Sequence, residues 1–242
     1  MSAPGPDRPM PGQAPPAPRP PVLELRGVTH AFTDGRGPRT VLRDIDLRLD
    51  AGEFVAVTGP SGAGKSTLLR IAAGLVRPDR GTVTFHGVDI HARRASYRAR
   101  IRRRDIGFVF QEHNLVEVLS AVENVSLPLE LDGVPHRHAT RLARAALEQV
   151  GLGEAAHAFP EQMSGGERQR VAVARAIVGE RSLLLADEPT GALDSGTGAH
   201  IISIIEELCR GTGRTALLVT HNEEHAKRAA RIVHIADGAI WS

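Results

Sequence analysis

The chain has 242 residues, of which 41% are hydrophobic and 24% are charged, with a formal net charge of +2 and a single cysteine. This length suits one compact α/β domain with room for a small subdomain. The mild charge balance does not indicate a nucleic-acid-binding protein, one cysteine excludes a disulfide framework, and no apolar run approaches the ~20 residues that span a membrane. We therefore expect a chain that is neither secreted nor membrane-spanning by itself.

The pattern divides the chain into a tail and a folded domain. Residues 1–21 contain nine prolines, which predicts an extended, disordered tail. From residue 22 to residue 242 we predict one domain, which begins with a short antiparallel β part. Apolar runs such as EFVAVTG, SLLLAD and TALLVTH then alternate with helical patterns, and this predicts a mostly parallel sheet flanked by helices. Residues from about 113 to 170 are mainly helical in pattern and predict a helical subdomain, whereas Cys209, in another helical run, is interpreted as structural.

The segment GPSGAGKS matches the phosphate-binding pattern G-x-x-x-x-G-K-[ST] and lies between a predicted strand and a predicted helix. Its glycines let backbone amides surround phosphate oxygens, and the helix adds its positive end. We predict that Lys65 reaches the β- and γ-phosphates, that Ser66 binds Mg²⁺ and that Thr67 donates to the α-phosphate. The residues of this predicted loop are Gly59, Pro60, Ser61, Gly62, Ala63, Gly64, Lys65, Ser66 and Thr67.

A second segment, MSGGERQR, also has the character of a phosphate site. Ser164 and Glu167 fit a capping box, which alone would be a structural explanation. Gly165 and Gly166, however, each cost up to ~1 kcal/mol relative to alanine in a first helical turn. Glycine at both positions is explained if a ligand must approach the backbone closely, because exposed amides at the start of a helix attract anions. The sequence thus predicts two phosphate-binding segments in one chain.

Two strands end in side chains suited to ATP chemistry. Asp187 and Glu188 follow the run SLLLA, and His221 follows TALLVT. A structural ion pair and a surface histidine are the simple alternatives, but ligands of open α/β sheets bind beyond the carboxyl ends of the strands. We predict that Asp187 holds Mg²⁺ through water, that Glu188 polarises the attacking water, and that His221 positions water and γ-phosphate.

In their order along the chain, GPSGAGKST, Gln111, MSGGE, LLLADEP, ALD and His221 resemble the nucleotide-binding subunits of ABC transporters, over residue 22 to the C-terminus. Within that family, QEHNLVEVLSAVENVSLPL, ADEPTGALDSGTG and RIVHIADGAI resemble the ATPases of macrolide, peptide and lipoprotein exporters. Two departures are mild: Met163 stands where leucine is usual, and Glu167 stands where glutamine is frequent.

The resemblance explains why one chain has two phosphate-binding segments. It implies a P-loop ATPase fold and a head-to-tail homodimer, in which Ser164, Gly165 and Gly166 bind the γ-phosphate of ATP held by the other subunit. It also implies that Gln111 contacts Mg²⁺ or the attacking water and transmits the presence of bound ATP to a membrane partner. Asp194 is expected in the loop between the two sites, and Phe32 is expected to stack on adenine.

The resemblance further implies ATP and Mg²⁺ as ligands, transmembrane permease subunits as partners, and a peripheral location at the cytoplasmic face of the cell membrane. Two other classes of protein are alternatives. A non-transport ABC protein acting on ribosomes or DNA would usually have a second cassette or a long insertion, and a regulator of cell-wall hydrolysis stays open. A GTPase or small-molecule kinase would leave Ser164 unexplained, and the chain has no N-K-x-D motif.

The run HARRASYRARIRRR, residues 91–104, has many basic residues and one tyrosine. Its position in the family makes it a linking segment before the strand that precedes Gln111. We favour a solvated basic surface, with acidic lipid head groups as a candidate neighbour, over a nucleic-acid site.

Overall fold

The computed structural model describes residues 20–34 and 37–241, so the predicted tail, apart from Pro20 and Pro21, lies outside the described residues. The strands are β1 (Leu23–Asp34), β2 (Gly37–Leu49), β3 (Phe54–Thr58), β4 (Arg80–Phe85), β5 (Val88–Asp89), β6 (Ile106–Val109), β7 (Leu183–Asp187), β8 (Thr215–Val219), β9 (Arg231–Ala236) and β10 (Ala239–Trp241). The α-helices are α1 (Lys65–Ala72), α2 (Ala95–Arg104), α3 (Ala121–Glu130), α4 (His136–Gln149), α5 (Gly165–Ile177), α6 (Ser195–Thr212) and α7 (Glu223–Ala226). A 3₁₀ turn covers Pro160–Gln162.

The strands form two sheets, and both agree with the prediction. An antiparallel sheet near the N-terminus has the order β2-β1-β4-β5. The larger sheet has the order β10-β9-β3-β8-β7-β6, and its strands are parallel except for β10. The carboxyl ends of β3, β8 and β7 are therefore neighbours at one edge of this sheet.

The central strands are covered on both faces. Every residue of β7 and of β8 is buried, which matches the continuous apolar runs of a parallel sheet between helices. Leu217 and Val219 of β8 belong to the core shared with α1 and the antiparallel sheet, whereas Ala216 and Leu218 belong to the core shared with α5 and α6. Alternate residues thus serve opposite layers, as strand geometry requires.

Helices α3, α4 and α5 pack against one another beside the sheet. The residues between β6 and α3 are irregular, and α3 begins after a capping box in which Glu123 accepts hydrogen bonds from Ser120. The amide of the fully buried Asn124 donates to the carbonyl oxygens of Val116 (3.1 Å) and Leu119 (2.8 Å). The irregular segment is thereby fixed to the helices.

The arginine-rich run has a regular structure that was not predicted from the sequence, because residues Ala95–Arg104 form α2. Alanine and arginine are among the strongest helix formers, and Ile101 is buried against the core. In the part of the chain that is described, no helix combines the length and apolar character needed to cross a membrane.

Candidate functional site

The loop between β3 and α1 has a backbone that only glycine can supply at two positions. Gly59 has φ +147°, and a Cβ there would lie 2.0 Å from the carbonyl oxygen of Ile235. Gly64 caps α1 in the left-handed region, where a Cβ would lie 2.7 Å from the carbonyl oxygen of Val41. No side chain caps the first amides of α1. The loop therefore presents unclaimed N–H groups and the positive end of a helix, which suits an anion.

Lys65 lies across this loop. Its Nζ donates to the carbonyl oxygens of Gly59 (2.7 Å) and Pro60 (2.8 Å), so its charge is held at the loop itself. A polar recess beside the loop is lined by Arg39, Val41, Gly62, Gly64, Lys65, Ser66 and Thr67. A neighbouring cavity of about 530 Å³ is bounded by the β2 segment at residues 38–43, the loop at 60–63, and residues 237–238. A phosphate chain in contact with Lys65 would extend along these polar walls.

Asp187, the last residue of β7, is a buried acid linked to this loop. The Ser66 hydroxyl donates to Asp187 Oδ1 over 3.1 Å. Burial raises the pKa of Asp187, the hydrogen bond from Ser66 acts in the opposite direction, and the charge of Glu188 adds to the rise. Oxygen ligands of this kind are those that Mg²⁺ prefers, and a cation would offset the cost of the buried charge. The pair fits a magnesium ion bound together with phosphate.

Glu188 directly follows β7 in a left-handed backbone conformation with φ +49°. Its N–H donates to the carbonyl oxygen of Val219 on β8 (3.0 Å). Its carboxylate Oε1 lies 3.0 Å from Nδ1 of His221, whose side chain is 76% exposed while that of Glu188 is 14% exposed. The predicted pair is thus in direct contact at the carboxyl ends of two neighbouring strands.

A second contact between the same two loops was not predicted from the sequence. The Oγ1 of the buried Thr190 lies 3.0 Å from Nδ1 of His225 on α7. Burial lowers the pKa of His225, and the nearby Arg228 lowers it further. The loop after β7 and the segment after β8 are therefore linked twice, through Glu188 with His221 and through Thr190 with His225.

Gln111 and Phe32 lie at strands of the two different sheets. Gln111 is exposed, two residues beyond the end of β6, which is the edge strand next to β7. Phe32 of β1 is 45% exposed and is paired across the strands with Arg39, which lines the recess at the phosphate loop. Directly opposed residues share one face of a sheet. Phe32 therefore belongs to a hairpin that adjoins the loop.

The segment MSGGE begins α5 as the sequence suggests. Ser164 is the N-cap, with its Oγ accepting from the N–H of Glu167 (3.2 Å) while Glu167 accepts from the N–H of Ser164 (2.8 Å). A Cβ on Gly165 would meet only the tip of Arg168 at 4.0 Å, and one on Gly166 would make ordinary contacts of 3.4 Å with residues 192 and 193. The packing of this chain does not require either glycine, so the backbone at both positions is open to close approach.

The residues of this segment, Ser164, Gly165 and Gly166, are not among the described residues that line the two cavities at the phosphate loop. Asp194 lies in the loop after Glu188 and caps α6, where its carboxylate accepts from the N–H of Thr197 (2.9 Å). This hydrogen bond lowers the pKa of the exposed Asp194 and gives the residue a structural role besides the predicted one.

The structure thus brings together the phosphate loop, Asp187, Glu188 and His221, as predicted. It adds Arg39 and Val41, which lie in the weakly patterned stretch FTDGRGPRTV, and the contact of Thr190 with His225. Thr190 follows the acidic pair closely in the sequence, but its partner His225 is 35 residues away, so no local pattern predicts their contact.

Comparisons with known proteins give one consistent family. A family model described as ABC transporter matches residues 42–191. The lipoprotein-releasing system ATP-binding protein LolD 2 of Caulobacter vibrioides is 45% identical over 220 residues, covering 91% of this chain and 96% of that protein. The macrolide export ATP-binding/permease protein MacB of Azoarcus sp. (strain BH72) is 44% identical over 220 residues, covering 91% of this chain. The chain spans only about a third (33%) of the length of that macrolide-export relative.

Solved structures agree with the fold. The dimeric structure of MJ0796, a bacterial ABC transporter cassette, matches with a TM-score of 0.88 and 37% identity, over 91% of this chain and 97% of that one. A dimeric post-hydrolysis state of the same cassette, bound to ADP and Pi, also matches with a TM-score of 0.88.

Proposed function

Because the chain belongs to the ABC transporter family, we propose that this ATP-binding, ATP-hydrolysing cassette drives a separate membrane permease from the cytoplasmic face of the membrane. One observation carries the proposal. The phosphate loop, the pair of Ser66 with Asp187, and the pair of Glu188 with His221 converge at the carboxyl ends of β3, β7 and β8.

In the proposed hydrolysis, each side chain has a separate task. Lys65 leaves its carbonyl partners and binds the β- and γ-phosphates, while the amides of the loop surround the phosphate chain. Glu188 accepts a proton from the water that attacks the γ-phosphate, and His221 holds this water and the phosphate in line. Bound Mg²⁺ neutralises charge on the phosphates, and Ser66, Gln111 and Asp187 are the residues proposed to hold it.

We propose that the ATP sites are shared between two identical chains. The open backbone at Gly165 leaves room for a ligand, and the matching solved cassettes are dimeric, which supports a partner in trans. Ser164, Gly165 and Gly166 bind the γ-phosphate of the partner's ATP, Phe32 stacks on adenine, and Asp194 lies between the two sites. A two-fold axis then produces two equivalent sites.

Mixing two inactive variants tests this arrangement. Lys65→Ala damages one phosphate loop and Ser164→Ala damages one N-cap, and each variant alone is expected to be nearly inactive. In a mixed dimer, one shared site combines both defects and the other combines two intact halves. If half the dimers are mixed, about a quarter of wild-type hydrolysis returns. An equimolar mixture that stays inactive would contradict sharing in trans.

The permease is proposed to dock near Gln111. An apolar groove of about 270 Å³ lies between the sheet edge and the helices and is lined by Leu75, Phe108, Phe110 and Pro128, among others. Leu75 is 43% exposed, and Phe110 immediately precedes Gln111. A permease segment seated here would sense the position of Gln111, and nucleotide-driven dimer closure would move it.

The test of the overall function uses Glu188→Gln, with Glu207→Gln on the exposed face of α6 as a matched control. We expect Glu188→Gln to bind ATP as the wild type does but to hydrolyse it at least ~100-fold more slowly, while Glu207→Gln keeps normal turnover. Tagged Glu188→Gln chain, captured from solubilised membranes with ATP present, should bring a permease with it. Ribosomal or DNA-bound proteins without a permease would refute transport while leaving the ATP chemistry intact.

A further inference from the structure

Helix α2 and the two residues before it concentrate positive charge at one place on the molecule. Residues 93–104 include seven arginines and no acidic residue. The whole chain has 30 Lys and Arg against 28 Asp and Glu, so the rest of it has 23 against 28, a net charge of −5. The modest total charge therefore hides a basic surface on an otherwise acidic protein.

Four of these arginines are engaged within the fold. Arg98 donates to the carbonyl oxygen of Arg93 (2.7 Å). Arg102 donates to the carbonyl oxygen of Gly74 (3.1 Å), and Arg103 and Arg104 pair with Asp132 at 3.2 and 2.8 Å. Arg93, Arg94 and Arg100 are exposed, and within residues 20–34 and 37–241 none of them has a carboxylate within salt-bridge distance. We refer to Arg93, Arg94 and Arg100, with Tyr97 between them, as the arginine surface.

The arginine surface is ordered by an aromatic ring. The guanidinium carbons of Arg93 and Arg100 lie 5.9 and 5.4 Å from the centroid of the Tyr97 ring, within cation–π distance. Tyr97 is itself packed against the main core. The charges are thus held beside one another along a shallow recess that Arg94 also lines.

We propose that the arginine surface binds acidic lipid head groups at the membrane. Guanidinium groups bind phosphate through paired hydrogen bonds, and unpaired arginines leave these donors available. Arg102, on the same helix, lines the apolar groove beside Gln111, so the surface adjoins the face assigned to the permease, and this step rests on the proposed function. An anionic bilayer next to that face is the complementary partner.

The surface is poorly suited to nucleic acid. Binding of single strands depends on aromatic rings that are free to stack on bases, whereas the ring of Tyr97 is half-buried and carries two guanidinium groups.

The test is flotation of the full chain with vesicles. Wild type is compared with the triple variant Arg93→Gln, Arg94→Gln, Arg100→Gln. The control is Arg137→Gln, Arg141→Gln, Arg144→Gln, which removes three exposed arginines from α4 and changes the net charge equally. Vesicles consist of phosphatidylcholine alone or with about a third phosphatidylglycerol, and a single-stranded oligonucleotide serves as a competing polyanion.

We expect wild type to bind only the acidic vesicles, with affinity that falls as salt is raised. Each basic residue near an acidic bilayer contributes about fivefold, so the α2 variant should bind ~100-fold more weakly while the α4 control stays within about threefold of wild type. Equal loss in both variants, equal binding to neutral vesicles, no vesicle binding by wild type, or tighter binding to the oligonucleotide would each overturn the proposal. ATP hydrolysis without vesicles should match in all three proteins, and this separates failure of the lipid contact from failure of the ATPase function.

Discussion

Replacing Asp187 by asparagine should make the nucleotide-free protein more stable while it removes the magnesium site. The carboxylate is only 4% exposed, its pKa is raised by burial, and Glu188 adds like charge beside it. Asparagine fills the same volume, and its Oδ1 can still accept the hydrogen bond from Ser66. Removal of a poorly compensated buried charge should therefore raise the free energy of unfolding by ~1–3 kcal/mol, which corresponds to roughly 3–10 °C in melting temperature for a chain of this size.

The assay is thermal unfolding in three buffers: with EDTA, with ATP and EDTA, and with ATP and Mg²⁺. A ligand at 100 times its Kd stabilises the folded state by ~2.7 kcal/mol. Wild type should gain most from ATP with Mg²⁺, whereas Asp187→Asn should respond to ATP equally with and without the metal. The stability gap between the two proteins should consequently be largest in EDTA and shrink in MgATP by the metal-dependent part of the wild-type gain.

Asp194→Asn is the matched control, because it makes the same change at an exposed helix cap. Asparagine caps helices as well as aspartate does, so its free energy of unfolding should stay within ~0.5 kcal/mol of wild type in the nucleotide-free buffer with EDTA. If Asp187→Asn were less stable than wild type in EDTA, the buried carboxylate would have to be stabilised by the fold. If it kept the Mg²⁺-dependent shift, Asp187 would not belong to the metal site.

Three further predictions concern the surroundings of the site. Gly59→Ala should lower the free energy of unfolding by ~3 kcal/mol or more, because the added Cβ would clash with the backbone of Ile235. The control Gly62→Ala has no neighbour within 4 Å and should cost only ~1–2 kcal/mol for its positive φ, so equal melting temperatures would contradict this reasoning. Thr190→Val and His225→Ala should show a coupling free energy of ~0.5–1.5 kcal/mol in a double-mutant cycle of unfolding, and additive effects would mean that their contact is not stabilising. Burial raises the pKa of the Cys209 thiol to about 11. A thiol reagent at pH 8 should therefore label the native protein at least ~100-fold more slowly than the unfolded protein, and equal rates would place the thiol at the surface.

The sequence was most informative where the chemistry is local. A strand, a glycine-rich turn and a helix follow one another directly around Gly59 and Lys65, so the shape of the loop depends on neighbouring residues only. The same holds for Ser164 and Glu167, whose capping box closes within one helical turn. The buried strands β7 and β8 were evident from their apolar runs because both faces are covered.

The remaining features depend on contacts between distant residues. No local pattern shows that β3 lies between β8 and β9, although this order brings the ends of β3, β8 and β7 together. Arg39 reaches the phosphate loop because β2 pairs with β1 through a register with several irregularities, in a stretch whose glycines and proline resemble a loop. Helix α2 was missed since the arginine run has no apolar periodicity beyond Ile101, and helix propensity decides its conformation.

The contact between the start of α5 and the loop at Ala192 and Leu193 has a consequence for the kinetics of the enzyme. That loop leaves Glu188 through two tight turns, with Gly191 donating to the carbonyl oxygen of Glu188 (3.1 Å) and Leu193 to that of Thr190 (3.1 Å). If Gly166 serves the ATP of a second chain, one short rigid segment connects the hydrolytic residue of one site to the phosphate contact of the other. Occupancy at either site would then alter affinity at its twin, so the dependence of turnover on ATP concentration should depart from a simple hyperbola, with a Hill coefficient different from 1 and at most 2.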